Sequence, residues 1–309
     1  MSIEVKNITK KYGNQIAVNN ISFRVNAGEI VGFLGPNGAG KSTTMKIISC
    51  FNSAHSGEVL VNGNSVQKDP LKIKKQLGYL AENNPLYEEM YVKEFLLFVA
   101  KIHQLNNPQD AVDDVIGKVG LTSEKGKKIG QLSKGYQQRV GIAQAIIHDP
   151  DVLILDEPTS GLDPLQLDEI RTLIKTLGKN KTVLLSTHIM QEVESICDRI
   201  IVIKKGEIVA DQGIKDDLNR SDEQVIVVEF DQEPKEEKLI AFLGEKTNIK
   251  KKGSSWVIAS KENKDLRREI ASFAKEHSLL ILELKKESAK LEDPVSYTHL
   301  TLPTSVMVY

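Results

Sequence analysis

Gly35-Pro36-Asn37-Gly38-Ala39-Gly40-Lys41-Ser42 decides how this chain of 309 residues is read. The stretch fits G-x-x-x-x-G-K-[ST], a loop whose backbone N–H groups wrap the phosphates of a nucleoside triphosphate. Four fixed positions match by chance in about one chain of this size in a hundred, so the flanks must add weight. Glu29-Ile30-Val31-Gly32-Phe33-Leu34 reads as a short apolar strand entering the loop, and Thr43-Thr44-Met45-Lys46-Ile47-Ile48 as a helix leaving it. The pattern needs that strand–loop–helix setting. Its glycines accept positive φ and let the backbone approach an anion. Successive amides then form an anion-binding concavity at a helix N-terminus, where the dipole also favours negative charge. Lys41 is expected to reach the β- and γ-phosphates, and the Ser42 hydroxyl to ligate Mg²⁺. The bland alternative is a Gly-rich turn capped by Ser42 beside a solvated lysine.

Length leaves room for about two domains. Hydrophobic residues make up 40% and charged residues 27%, an ordinary soluble composition. A net charge of −1 argues against a dedicated nucleic-acid binder, which carries a basic excess. Aromatics at 5% leave few platforms for stacking single strands. Apolar runs such as residues 95–100 are far too short to span a bilayer, and the first residues lack a signal-peptide core. A cytoplasmic chain is therefore expected. Cys50 and Cys197 stand alone and read as reduced, small hydrophobes.

The first stretch is β-rich: Ile3-Glu4-Val5, Ile21-Ser22-Phe23-Arg24-Val25 and Glu58-Val59-Leu60-Val61 cluster β-formers between turns. Helical spacing then predicts helices over 88–104, 108–119 and 136–148. Asp151-Val152-Leu153-Ile154-Leu155-Asp156 is a near-continuous apolar run that suits a central parallel strand. A helix over 164–177 with Pro near its start, and buried strands at 182–186 and 200–203, complete the pattern. The expected fold class is α/β: a nucleotide-binding core with an inserted helical subdomain at about 85–148. Past residue 221, strand 225–230, helix 233–243, strands 248–251 and 256–259, helix 266–276 and strand 279–284 follow in β-α-β-β-α-β order. That order predicts a small ferredoxin-like α+β domain.

Asp156-Glu157 ends the buried run. A carboxylate at the C-terminal end of such a strand lies in the crevice where α/β sheets bind ligands. Asp156 is placed to hold Mg²⁺ directly or through water, and Glu157 to polarise the water that attacks a γ-phosphate. Without the upstream loop, a helix N-cap or a solvated loop would be the better reading.

In its order of motifs the chain resembles the ATP-binding subunit of an ABC transporter over nearly all of residues 1–220. The likeness is carried by the loop at 35–42 and by Leu132-Ser133-Lys134-Gly135-Tyr136-Gln137-Gln138-Arg139, which is similar to the family's signature motif. It is carried also by Ser160-Gly161-Leu162-Asp163, similar to the D-loop, by His188 in Ser186-Thr187-His188, and by Tyr12 in Lys11-Tyr12-Gly13. The resemblance implies a P-loop ATPase core with an N-terminal antiparallel β-subdomain. It implies that Tyr12 stacks on adenine, that residues 35–43 (Gly35, Pro36, Asn37, Gly38, Ala39, Gly40, Lys41, Ser42, Thr43) cradle the phosphates, and that His188 binds the γ-phosphate and holds Glu157 and the water in line. Ser133 and the Gly135 amide would cap the ATP held by another subunit, so two ATP molecules would join a head-to-tail dimer, expected to be a homodimer. His55, His103 and His148 have no such context and read as structural.

Two departures from the family pattern stand out. Lys134 and Tyr136 replace small and amide positions of the usual Leu-Ser-Gly-Gly-Gln signature. Glu82 stands where the family has the Mg²⁺-sensing Gln; a carboxylate can still ligate the cation but adds negative charge near the phosphates. Similar variants occur in exporter-type members with a C-terminal extension like residues 221–293. Within these, residues 82–87 resemble gliding-motility-associated ATP-binding subunits. The resemblance implies ATP and Mg²⁺ as cofactors, no nucleic acid, and a separate membrane permease docked on residues 82–99. The chain would then lie peripherally on the inner face of the cell membrane. The competing class is a soluble ABC-type ATPase acting on DNA or ribosomes. Chromosome-organising relatives need a long coiled coil, yet only about ninety residues separate Lys41 from Ser133, without sustained heptads. The likeness stops near Asp293. Residues 294–309 read as translated sequencing-adapter sequence, a non-native tail, with a genuine C-terminal strand as the alternative.

Overall fold

The structure is a computed structural model that describes residues 2–214, 224–244, 247–260 and 265–288. Its contacts divide the chain after Ile214. The expected boundary at 220 and the tail at 294–309 lie outside the described residues.

The first unit opens with β1 (Ile3–Tyr12), β2 (Gln15–Val25), β3 (Ile30–Leu34), α1 (Lys41–Ile48), β4 (Ser56–Val61), β5 (Asn64–Ser65), α2 (Pro70–Gln76) and β6 (Leu77–Leu80). Then come α3 (Val92–Ile102), α4 (Pro108–Lys118), α5 (Lys134–Ile146), β7 (Val152–Asp156), α6 (Pro164–Gly178), β8 (Thr182–Thr187), α7 (Met190–Ile196), β9 (Arg199–Lys204) and β10 (Glu207–Gly213). Two sheets result. One is antiparallel, in the order β2-β1-β4-β5. The other has the order β10-β9-β3-β8-β7-β6, parallel except for β10 at its edge.

Every residue of β3, β7 and β8 is buried, which explains their unbroken apolar reading. Because strand side chains alternate, each strand feeds two cores. Val152 and Ile154 join Met45, Ile47 and Ile48 of α1 and the inner residues of the antiparallel sheet. Leu153 and Leu155 instead join α3, α4 and α5 through Phe95, Leu96, Val112, Ile116, Val140 and Ala143. Each fully buried aliphatic side chain contributes about 1.5–3 kcal/mol, so both faces of the sheet are strongly fixed.

The predicted helices form with shifted ends. The expected helix at 88–104 starts only at Val92, because Gly130 N donates to Glu88 O and Ile129 N to Met90 O, which ties residues 88–91 to a neighbouring loop. Helix α5 begins two residues earlier than expected, with Ser133 as its N-cap, and stops at Ile146 ahead of Asp149, whose φ is 51°, and Pro150. The short helices α2 and α7 and the edge strands β6 and β10 were not anticipated. Seven residues give too few repeats for a period to show, although Asp69-Pro70 carries a helix-start signal.

The second unit contains β11 (Gln224–Phe230), α8 (Glu236–Leu243), β12 (Thr247–Lys252), β13 (Ser255–Ser260), α9 (Arg267–Glu276) and β14 (Ile281–Ser288). Its sheet is antiparallel throughout, in the order β12-β13-β11-β14, which is the split βαβ arrangement expected from the element order. Ile226, Val228, Trp256, Ile258, Leu239 and Phe273 form its own core.

Candidate functional site

Between β3 and α1 the chain turns through the glycine-rich loop. Gly40 is the N-cap of α1 at φ 111°, and an added Cβ would stand 2.6 Å from the Ala17 carbonyl oxygen. Only glycine satisfies both demands. A side chain on Gly35 would likewise collide with the Ile203 carbonyl. The first amides of α1 have no partner within the helix and form its positive end. Over this loop folds Lys41, buried at 5% exposure, with Nζ donating to Gly35 O at 2.8 Å and Pro36 O at 3.4 Å.

Opposite the loop, β7 ends in Asp156, whose partner across the sheet is Ser186 of β8. Asp156 Oδ1 accepts from Ser186 Oγ at 2.6 Å and from Ser42 Oγ at 3.0 Å, while Oδ2 is buried without a partner among the described residues. Burial raises the Asp156 pKa, and the charge of Glu157 adds to that; the two serine hydroxyls and Lys46 oppose it. Glu157 follows at φ 50°, a left-handed conformation costing about 1–2 kcal/mol that turns its carboxylate back toward the loop. Its amide is held by Ser186 Oγ at 3.0 Å. Its Oε1 lies 3.2 Å from Lys41 Nζ, an ion pair that lacks hydrogen-bond alignment, and its Oε2 is 2.9 Å from His188 Nδ1.

Lys41, Ser42 and Glu157 border a cavity of about 390 Å³, within the usual range for small-molecule sites. Of the residues predicted from sequence, Tyr12, Asn37, Gly38, Gly40, Lys41, Ser42, Thr43, Glu82 and Glu157 line it. Tyr12 is half-exposed, with its hydroxyl accepting from Asn52 Nδ2 at 2.9 Å. Asp156 and His188 do not line the cavity but are bonded to Ser42 and Glu157, which do. Ser133 and Gly135 are not among the lining residues. Ser133 is exposed at the N-terminus of α5, where its Oγ accepts from Tyr136 N at 3.5 Å and Gln166 Nε2 at 3.4 Å. The Lys134 ammonium lies over Gly161, so two of the recognised motifs touch within one chain. Gln15, Ala17 and Ser186 were not anticipated. The first two lie on β2, which carries no signal of facing the loop, and a serine near the end of a buried strand carries no periodic signal.

The Ser42 hydroxyl and the Asp156 carboxylate, with Oδ2 buried and unpaired, supply hard oxygen donors side by side. Such a donor set fits Mg²⁺, which draws its remaining ligands from phosphate and water.

A phosphate-binding loop facing an acidic strand end defines a P-loop nucleoside triphosphatase. The family model for the ABC transporter matches residues 18–160. The bacitracin transport ATP-binding protein of Bacillus licheniformis is 39% identical over 209 residues, 67% of this chain and 68% of the relative. The linearmycin resistance ATP-binding protein of Bacillus subtilis is 39% identical over 219 residues, 70% of each chain. A further Bacillus subtilis ABC transporter ATP-binding protein, YdbJ, is 36% identical over 264 residues, 84% of each chain. Among solved structures, an ATP-binding subunit of an ABC transporter superposes with a TM-score of 0.64 at 30% identity, covering 71% of this chain and 93% of that one. A dimeric ATP-binding cassette in a post-hydrolysis state with ADP and Pi gives 0.64 at 28% identity, covering 69% and 98%. The chain belongs to the ATP-binding subunits of ABC transporters and is an ATPase. Among its described residues, no helix is long and apolar enough to cross a membrane.

Proposed function

We propose that the chain drives export through a separate permease by hydrolysing ATP between two copies of its first unit. The observation that carries this reading is that Lys41, Ser42 and Glu157 line one cavity, with Asp156 bonded to Ser42 and His188 to Glu157 directly behind it. Amides of residues 38–43 and the Lys41 ammonium would hold the β- and γ-phosphates, and Tyr12 at the cavity edge would stack on adenine. Ser42 and Asp156, with Glu82 nearby, would hold Mg²⁺, which when bound neutralises charge on the phosphate oxygens. An incoming phosphate competes with Glu157 for Lys41. Once displaced, Glu157 is free to accept a proton from the water whose oxygen attacks the γ-phosphorus, as the bond to ADP breaks. His188 keeps that carboxylate oriented.

Ser133 and Gly135 of the partner copy would close over the γ-phosphate, because the start of α5 presents a positive helix end. Two ATP molecules then form part of the dimer interface, and closure on ATP followed by opening after hydrolysis supplies the mechanical stroke. Residues 82–99 would dock the permease at the inner membrane face. Relatives named for bacitracin transport and linearmycin resistance support export as the direction. The second unit serves as an accessory domain following a boundary near 220, and residues 294–309 are foreign to the native protein. The finer likeness of residues 82–87 to gliding-motility ATPases rests on sequence alone. Mild-detergent extraction followed by identification of the co-purifying membrane protein tests the permease, the direction and the gliding likeness together. ATP-dependent hydrolysis with no membrane partner would overturn the transport reading. Mass spectrometry of protein from its source organism tests the tail.

A further inference from the structure

Tyr79 carries a buried hydroxyl with no hydrogen-bond partner among the described residues. One strand away, Oδ2 of Asp156 is buried and equally without one. Folded proteins seldom leave such groups unmatched, and each exception calls for a reason. The sheet register brings these two together. Tyr79 of β6 is paired with Ile154 of β7, and Asp156 lies two residues further along, so phenol and carboxylate leave the same face of the sheet. Diagonal neighbours on adjacent strands are within reach of long side chains. This face is the one that α1 covers, since Tyr79 packs against the core containing Met45, Ile47 and Ile48. The ring is fixed by Phe51, with centroids 5.2 Å apart. A phenol keeps its proton at neutral pH, so the hydroxyl remains a donor.

A stranded donor and a stranded acceptor at one polar spot are the usual surroundings of a bridging water. Oδ1 of Asp156 is already fixed by Ser42 and Ser186, whereas no described residue fixes Oδ2. We propose that Tyr79 is a positioning residue for the divalent cation: its hydroxyl donates to a water that in turn donates to Asp156 Oδ2, locking the carboxylate at both oxygens. This rests on the reading of Ser42 and Asp156 as the groups that hold the cation. Groups that orient a ligating carboxylate in this way typically change metal affinity tenfold or more when removed.

The test compares the full-length parent with Tyr79→Phe and Ser42→Ala, using a fluorescent ATP analogue titrated in EDTA and across a series of Mg²⁺ concentrations. In Tyr79→Phe the half-saturating Mg²⁺ concentration rises about tenfold, while affinity in EDTA and the thermal unfolding midpoint stay at parental values. An equal loss of binding with and without Mg²⁺, or a lowered unfolding midpoint, assigns the phenol to packing and overturns the proposal. Unchanged Mg²⁺ dependence in Tyr79→Phe beside a raised requirement in Ser42→Ala overturns it as well. Unchanged dependence in both variants removes the cation site itself.

Discussion

Replacing Glu157 by Gln removes one negative charge at the centre of the site and changes almost no volume. The ion pair to Lys41 at 3.2 Å is lost, while His188 Nδ1, now at 2.9 Å from Oε2, can still face the amide oxygen. Removing one member of a buried pair ordinarily destabilises by about 3–5 kcal/mol because a charge is stranded. Here Lys41 retains the carbonyls of Gly35 and Pro36, so a smaller loss of about 1–2 kcal/mol is expected. On the proposed roles, turnover depends on Glu157 as the proton acceptor. Its removal costs a factor of about 10²–10⁴, or roughly 3–5 kcal/mol of barrier. ATP binding moves the other way, because the carboxylate and the phosphate repel each other and compete for one ammonium. Two unit charges about 4 Å apart at an effective dielectric near 20 interact by about 4 kcal/mol, which bounds the gain from above. Phosphate release at saturating ATP measures the rate. Nucleotide retained through gel filtration, with light scattering, measures trapped dimer. Turnover within about fivefold of the parent would remove Glu157 from the chemistry. Loss of ATP binding together with turnover would make its role structural.

Three further outcomes are expected. Gly40→Ala forces a Cβ to within 2.6 Å of a carbonyl at φ 111°, so denaturant unfolding should show a loss of about 2–3 kcal/mol, with weakened nucleotide binding. Ser133→Ala removes the N-cap of α5 at a cost of about 1 kcal/mol, leaves ATP binding to the single chain intact and abolishes ATP-driven dimerisation on analytical ultracentrifugation. His148 stacks on His103 at 4.0 Å; burial first, then the His103 and Lys181 charges, lower its pKa to about 4, against the opposing hydrogen bond to the Leu77 carbonyl and the Asp149 charge. Its folded pKa thus lies below the unfolded 6.5, the unfolded chain binds the extra proton, and stability falls as pH drops from 6.5 toward 4. Partial solvent access reduces the effect to about 1–2 kcal/mol, and urea midpoints at pH 7.5 and 5 should converge in His148→Gln.

Local signals made much of this molecule legible. The loop at 35–42, the apolar runs that became β7 and β8, and the β-α-β-β-α-β order past residue 221 all depend on residues close in sequence. Helix ends were less legible because they depend on partners elsewhere, as the bonds from residues 129–130 to 88–90 illustrate. The site's membership was only partly readable for the same reason. Ser186 matters because β8 lies beside β7, and Tyr79 because β6 lies on the other side, and neither pairing is written in the spacing of their neighbours.

The same distinction bears on the proposed chemistry. Sequence places Glu157 after a buried strand, but its consequence comes from the left-handed turn at φ 50° that aims the carboxylate at Lys41. On the proposed roles, one ammonium serves two anions in turn. While it pairs with Glu157, the carboxylate is engaged; when phosphate claims it, Glu157 keeps only His188 and gains an oxygen free to take a proton. On these roles, phosphate binding and release of the base are one event, so the chain cannot ready its base without substrate in place. A Lys41→Met variant separates the two, because it frees Glu157 permanently while removing the phosphate's main cation. Such a variant should bind ATP at least about a hundredfold more weakly in equilibrium titrations. Parental affinity in Lys41→Met would show that the amides of the loop suffice and that the exchange of partners is not how this site is switched.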